Sequence, residues 1–117
     1  MSDSHSEKQD KITELRREVV SRLQLCYDPE LSIDIVNLGL IYEITFDQKE
    51  HPEEPPILNL KMTFTTPLCP LGDEILAMVK ERLKTIEGIE SILIELVFEP
   101  PWTKEMISSE GQILLNL

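Results

Sequence analysis

A chain of 117 residues is long enough for one domain with its own core, and it needs neither disulfides nor metal to fold. Hydrophobic residues make up 41% of it and charged residues 28%, a composition that excludes an intrinsically disordered chain. The formal net charge of −11 repels phosphate backbones, so we expect no nucleic acid partner. The same acidity favours solubility and leaves room for a basic partner protein.

The chain has no apolar run near the roughly 20 residues that span a bilayer, so we expect no membrane partner. Its first ten residues lack the basic patch and apolar core of a secretory signal. We therefore expect a cytoplasmic location, where both cysteines stay reduced. We also expect residues 1–10 to form a mobile polar tail and residues 11–117 to form a single domain.

The first half of the chain begins with an amphipathic helix. Between Lys11 and Cys26, apolar residues recur every three or four positions. We expect Asp28-Pro29 to stop this helix, since proline disfavours a helical conformation in the residue before it. Residues 31–41 are mostly apolar without a clean period, which indicates a packed connecting loop that ends at Gly39.

Two alternating segments, 41–47 and 57–65, predict an antiparallel hairpin, with residues 48–56 as an exposed turn. A second amphipathic helix begins near Pro70 and ends before Gly88, which is suited to a helix C-terminus. Residues 92–98 alternate again and predict a third strand. A strand, helix, strand passage normally places the third strand parallel to its neighbour.

We therefore predict an α/β fold of the α+β type. It is a compact two-layer domain of order α-β-β-α-β, with a small mixed sheet and helices on one face. A short C-terminal helix follows, which Thr103 could cap.

One cysteine lies at the joint between the second strand and the second helix. Cys69 stands between Pro67 and Pro70, near the expected helix N-cap. The helix dipole and a hydroxyl of Thr65 or Thr66 favour its thiolate. Asp73 and Glu74 in the first turn act against the thiolate, so the direction of the pKa shift stays open. Whether this thiol does chemistry, holds a metal or fills space also stays open at this point.

Ordinary cysteine hydrolysis requires a nearby base, usually histidine. His5 falls in the polar tail and His51 in the acidic turn, and both are expected to be surface residues. The two cysteines are too far apart in sequence for paired zinc ligands. Cys26 continues the apolar stripe of the first helix, so we interpret it as a core residue.

Two further segments have both a structural and a functional interpretation. Asp28 and Glu30 are either solvated acids at a helix stop or, if Asp28 approaches Thr65 and Cys69, a group that holds a hydroxyl or a transient metal. Trp102, which follows two prolines, is either an anchor that seals the sheet edge or part of a binding surface.

Four stretches together resemble the SufT and PaaD-like family of metal-sulfur (iron-sulfur) cluster assembly factors, a former domain-of-unknown-function family. They are Asp28-Pro29-Glu30, residues 34–42 (DIVNLGLIY), residues 62–70 (MTFTTPLCP) and Glu99-Pro100-Pro101-Trp102. The resemblance extends from Lys11 to Leu117. Glu99 stands where the family often has aspartate, which keeps the charge. PaaD-like members often carry a cysteine-rich tail, so its absence here favours the SufT-like form without stably bound zinc.

The resemblance implies a compact α/β domain that helps to mature iron-sulfur clusters or deliver them to recipient proteins. It implies that Asp28, Thr65 and Cys69 line a shared functional site, with no catalytic residue in the enzymatic sense. The expected supporting residues are Glu30, Asn37, Thr66, Pro67 and Trp102.

From this we expect an accessory factor rather than an enzyme, in which Cys69 transiently contacts a metal, a cluster or a partner thiol. Stable clusters usually take four cysteines, so we expect no tightly bound cofactor and at most transient iron or an iron-sulfur cluster. The expected partners are the assembly machinery and recipient apo-proteins, and a homodimer would bring two Cys69 residues together. One alternative is a protein-interaction module in which Cys69 only packs, and another is a thiol-dependent small-molecule enzyme.

Overall fold

The computed structural model describes residues 4–48, 53–67 and 70–115, with side chains from Asp10 onward. Cys69 and His51, two residues that the sequence singles out, lie outside the described residues. The elements in chain order are α1 (Ser4–Leu23), β1 (Ile41–Asp47), β2 (Ile57–Met62), α2 (Gly72–Leu83), β3 (Ser91–Leu96), a 3-10 helix (Lys104–Met106) and α3 (Ser109–Leu114). None of the helices in these ranges is both long and apolar enough to cross a membrane.

The three strands form one mixed sheet in the order β1-β2-β3. β1 and β2 are antiparallel, with Ile44 opposite Leu60 and Phe46 opposite Leu58. β2 and β3 are parallel, with Leu60 opposite Ile94. The predicted α+β fold, its mixed sheet and its short C-terminal helix are therefore confirmed.

The core lies between one face of the sheet and the two long helices. Leu58, Leu60 and Met62 of β2 are fully or almost fully buried, because a central strand has neighbours on both sides. Helices α1 and α2 contribute their predicted apolar stripes to the same cluster, including Val19, Leu23, Ile75, Val79 and Leu83. The packed loop before β1 was also predicted correctly, and its buried residues are Ile33, Ile35, Leu38 and Leu40.

The opposite face of the sheet is open and mostly polar. Lys61 on β2 forms an ion pair of 3.3 Å with Glu43 on β1. Asn59 donates a hydrogen bond of 2.7 Å to Asp47. Leu93 on β3 is the large apolar exception, with 57% of its surface exposed. The fold is thus a two-layer structure whose sheet has one uncovered face.

The helix bounds differ from the prediction in instructive ways. Helix α1 begins at Ser4 instead of Lys11, because the polar residues before Lys11 include good helix formers that need no core contact. It ends at Leu23, well before Asp28-Pro29. Just after Leu23 the chain forms a tightened turn, in which the amides of Leu25 and Cys26 donate to the carbonyls of Arg22 and Leu23. The proline is therefore not what ends this helix. The mobility of residues 1–10 stays a prediction.

The later elements also end differently. Helix α2 stops at Leu83, and Gly88 lies five residues farther on, with a φ of +93° in the loop to β3. Strand β3 ends at Leu96 and not at Phe98. Thr103 makes no side-chain cap and precedes only the 3-10 helix, whereas Ser108 caps α3 by accepting a hydrogen bond from the amide of Gly111. The hydrophobic periodicity of the sequence does not predict where an element ends or which residue caps it.

Candidate functional site at one end of the sheet

Three connecting segments meet at the end of the sheet where β1 begins and β2 and β3 end. The amide of Thr63 donates to the carbonyl of Leu40 at 2.9 Å, and the amide of Val97 donates to Met62 at 2.9 Å. The segments before β1, after β2 and after β3 therefore leave the sheet side by side. Most of the residues that the sequence singles out belong to these segments.

The segment that contains Cys69 begins and ends at one place. A Cβ at Gly72 would lie only 2.7 Å from Cε2 of Phe64, so the Phe64 ring packs directly on the first residue of α2. The ring of Phe64 also faces that of Phe98, with centroids 6.4 Å apart. The contact between Phe64 and Gly72 holds the two ends of residues 65–71 close together at the edge of the core. Helix α2 begins at Gly72, two residues after Pro70, near which the sequence predicts its start.

The described residues of this segment are accessible. Thr65 is half-buried, whereas Thr66, Pro67 and Pro70 are exposed. The N-cap residue of α2 is Leu71, which makes no side-chain cap, and Asp73 and Glu74 occupy the first turn. The N-terminal amides of α2 therefore have no side-chain cap from Leu71.

Asp28 is buried and not solvated, which corrects one of the two interpretations of Asp28-Pro29-Glu30. Its side chain is 5% exposed, and Oδ1 accepts hydrogen bonds from the amides of Glu30 (2.8 Å) and Leu31 (3.1 Å). Ser32 completes this turn with a φ of +59°. The carboxylate thus shapes its own loop, while Glu30 is exposed. The structure contains no hydrogen bond between Asp28 and Thr65, both of which it describes.

A second buried carboxylate, Asp34, was not singled out from the sequence. It is 8% exposed and accepts two hydrogen bonds from Asn37, from the amide at 3.0 Å and from Nδ2 at 2.7 Å. The Oδ1 atom of Asn37 in turn accepts from the hydroxyl of Ser108 at 2.6 Å. Asp34, Asn37 and Ser108 therefore connect the loop before β1 to the start of α3. An aspartate three residues before an asparagine is a turn signal that could have indicated this arrangement.

Trp102 anchors the segment after β3 to the same loop. Its Nε1 donates to the carbonyl of Leu38 at 2.7 Å, and the half-buried indole packs on the core. The Tyr42 hydroxyl donates to the carbonyl of Pro100 at 2.7 Å. These contacts favour the anchoring interpretation of Trp102 and leave its indole nitrogen occupied.

Cys26 is fully buried, as predicted, and its thiol donates weakly to the carbonyl of Arg22 at 3.7 Å. Burial raises the pKa of this thiol from 9.0 to about 11; the positive charge of Arg82 lowers it and the negative charge of Asp34 raises it further. A thiol that stays protonated and is shielded from solvent is a poor nucleophile and a poor metal ligand. Cys26 is therefore a packing residue.

The stability of the protein should fall at high pH because of Cys26. Between pH 9 and about 11 the unfolded chain releases the thiol proton while the folded chain retains it. Stability from this group is complete below pH 9 and decreases above it, by roughly 2 kcal/mol at pH 11. Denaturant unfolding of the native chain and of Cys26→Ala from pH 7 to 11 measures this difference. The gap between the two proteins should narrow as pH rises, and a constant gap would contradict the prediction.

Within residues 4–48, 53–67 and 70–115, no group of three or more histidine, cysteine, aspartate or glutamate residues could hold a metal ion. This range does not include Cys69. The described residues on either side of positions 68–69 are exposed, namely Thr66, Pro67 and Pro70, and α2 begins nearby without a side-chain cap and with Asp73 and Glu74 in its first turn.

Comparisons with known proteins give a consistent result. The family model described as "Iron-sulfur cluster assembly protein" matches residues 16–96, which include Cys69. The Fe-S protein maturation auxiliary factor SufT of Staphylococcus aureus is 40% identical over 90 residues, or 77% of this chain and 96% of the relative. The auxiliary factor YitW of Bacillus subtilis is 33% identical over 103 residues, or 88% and 95% of the two chains.

The fold has a solved counterpart in a domain of unknown function from Bacillus anthracis. The two structures superpose with a TM-score of 0.78 at 33% identity, covering 90% of this chain and 94% of the other. The family match covers well over half of the present sequence, and the S. aureus relative is covered almost completely. This chain therefore belongs to the iron-sulfur cluster assembly protein family.

Proposed function

We propose that this protein is an accessory factor in the assembly of iron-sulfur clusters or their delivery to recipient proteins, and that Cys69 makes a transient contact with a metal, a cluster or a partner thiol. The coarser statement, a role in iron-sulfur cluster assembly, is supported by the family match and by the names of the relatives. The use of Cys69 is the finer part of the proposal.

The burial of Cys26 is the observation that assigns the thiol chemistry to Cys69. The chain has two cysteines, and the first is sealed in the core with a raised pKa. Any thiol chemistry of this chain therefore belongs to Cys69. Its sequence neighbours Thr66, Pro67 and Pro70 are exposed, and Phe64 and Gly72 hold the ends of the segment. One thiolate cannot retain a cluster that usually needs four, which favours transfer over storage.

We assign different roles to the other site residues. Asp28 shapes the loop before β1 through the amides of Glu30 and Leu31. Thr65, with no hydrogen bond to Asp28, is the residue that we propose to assist the thiolate, together with Thr66. Asn37 and Trp102 position the neighbouring segments. We propose that the factor acts in the cytoplasm, beside the assembly machinery and recipient apo-proteins.

Replacing Cys69 with alanine should leave folding intact and remove the cellular function. We expect cells carrying Cys69→Ala to lose most of their aconitase-type activity under iron limitation, because apo-enzymes no longer receive clusters. Activity is measured in extracts with and without reconstitution by iron and sulfide. Reconstitution should restore the aconitase-type activity of these extracts, which would show that the apo-enzyme is intact and lacks only its cluster.

The second cysteine provides the matched control. Cys26→Ala removes a thiol of the same chemistry from the core, so it should cost stability but retain activity in cells that contain equal amounts of soluble protein. Full aconitase-type activity in the Cys69→Ala strain would overturn the proposed role of Cys69. Equal loss in both strains, at equal protein levels, would point to stability and not to thiol chemistry.

A further inference from the structure

The two edges of the sheet differ in how well they are protected against pairing with a further strand. At the β1 edge, the Arg16 guanidinium donates to the carbonyl of Ile44 at 2.6 Å and lies over the Phe46 ring at 5.6 Å. The register of β1 also shifts between Ile41 and Glu43. A cation on the edge and a bulge are devices that prevent a further strand from pairing.

The β3 edge has neither device among the described residues. β3 pairs with β2 in regular register from Ser91 to Leu96. Since the amide of Val97 donates inward to Met62, alternation along the strand turns the main-chain groups of Ile94 and Leu96 away from β2. An edge with outward donors and acceptors is suited to pairing with another extended chain.

The side chains on this edge specify the chemistry of such a chain. Leu93 and Glu95 lie two residues apart on the open face of the sheet, and Leu93 is 57% exposed. Glu95 stands beside Lys61 in the register, but Lys61 is paired with Glu43. Glu95 thus has no ion-pair partner among the described residues. The row Glu43, Lys61, Glu95 alternates in charge and would be continued by a cation on the next strand.

We propose that the outer edge of β3 binds an extended segment of a recipient protein, with a basic residue opposite Glu95 and an apolar residue opposite Leu93. The partner's identity as a recipient rests on the proposed function, whereas the binding chemistry does not. The bound segment would pass Leu96 and Phe98, which are 36% and 38% exposed. Because Phe98 contacts Phe64, the segment would run beside the loop that contains Cys69.

A synthetic peptide tests the chemistry directly. The probe is an acetylated and amidated Thr-Val-Thr-Lys-Thr-Val peptide, which places Lys and Val two residues apart on one face. Its control is the fully N-methylated form with the same side chains and charge. Chemical shifts of the protein amides should change at Ile94 and Leu96 on binding. The N-methylated peptide, which cannot donate, should bind at least about tenfold more weakly. No binding of the first peptide at millimolar concentration, or equal binding of both, would overturn the proposal.

Two charge-reversal variants separate edge recognition from general acidity. Glu95→Lys should weaken binding of the first peptide about fivefold, whereas Glu14→Lys, which makes the same charge change at an exposed position on α1, should weaken it less than about twofold. Equal weakening by the two variants would overturn the proposal. Sedimentation of the protein alone serves as a further check, since a dimer that Glu95→Lys dissociates would assign the edge to a second copy instead.

Activity in cells, measured beside peptide binding, separates edge recognition from the role of Cys69. Cys69→Ala should bind the peptide with unchanged affinity, so peptide binding stands even if that variant retains full activity in cells. Conversely, Glu95→Lys should lower aconitase-type activity under iron limitation while Glu14→Lys does not. Full activity of Glu95→Lys beside a loss in Cys69→Ala would overturn the edge as a recipient site and leave the role of Cys69 intact.

Discussion

Replacing Gly39 with alanine is expected to lower the free energy of unfolding by about 2 to 4 kcal/mol. Gly39 has a φ of +79°, a left-handed conformation that costs an alanine about 1 to 2 kcal/mol. The new Cβ would also meet the main-chain carbonyl of Met106, whose carbon would lie at 2.9 Å. The 3-10 helix Lys104–Met106 would have to move away. Denaturant unfolding followed by circular dichroism measures the loss.

Gly88 offers a control of the same kind without the close contact. Its φ is +93°, but among the described residues an added Cβ would meet only the Leu15 Cδ2 atom, at an ordinary 3.4 Å. Gly88→Ala should therefore cost only the backbone term, about 1 kcal/mol. Trp102 is the single tryptophan and bonds to Leu38, next to Gly39, so its emission should shift in Gly39→Ala only. Equal losses with unchanged emission would contradict the prediction.

The close approach of Gly39 and Met106 is a feature that sequence periodicity cannot predict. The alternation in β2 and the stripes of α1 and α2 predict which residues face the core, because burial requires a fixed spacing in each element. The 3-10 helix and α3 obey no such spacing. They are held by single contacts, such as the hydrogen bond from Ser108 to Asn37 and the packing of Met106 against Gly39. These contacts depend on residues about 70 positions away in the sequence.

The first residues of α1 and α2 also depend on features outside the apolar pattern. α1 extends to Ser4 because polar helix formers continue a helix that the core has already nucleated. At Gly72, the first residue of α2, an added Cβ would displace the Phe64 ring. Neither fact is visible in the pattern of apolar residues. The sequence places these elements correctly but not their first and last residues.

The positions of several predicted site residues can be compared with the structure. The four resembling stretches place Asn37, Thr65 and Trp102 in segments that the structure gathers at one end of the sheet. The solvated interpretation of Asp28 was wrong, since a loop folded back on itself buries its own carboxylate. The burial of Cys26 was predicted because Cys26 continues the spacing of the apolar stripe, three residues beyond the end of α1. The grouping of Asp28, Thr65 and Cys69 into one site stays a prediction.

Removing the Asp34 carboxylate should loosen the C-terminal helix as well as the loop before β1. Asp34→Ala deletes the acceptor of two hydrogen bonds from Asn37, and we expect a loss of about 2 to 3 kcal/mol in the free energy of unfolding. Asn37 would then be free to turn away from Ser108, which caps α3. Amide hydrogen exchange at Gly111 and Leu115, followed by NMR, should become faster well below the denaturant midpoint.

Asp28→Ala is the matched comparison, because it also removes a buried carboxylate that accepts two hydrogen bonds within its own loop, both from backbone amides. It should cost a similar free energy but leave exchange at Gly111 and Leu115 unchanged, since the Asp28 carboxylate makes no hydrogen bond to Asn37 or Ser108. Ser108→Ala should reproduce the faster exchange, and its cost should not add to that of Asp34→Ala. Additive costs, or equal exchange in the Asp34 and Asp28 variants, would show that α3 is held independently of the loop. The coupling therefore predicts that loss of the Asp34 carboxylate loosens α3, whereas the effect of losing the Asp28 carboxylate stays within its own loop.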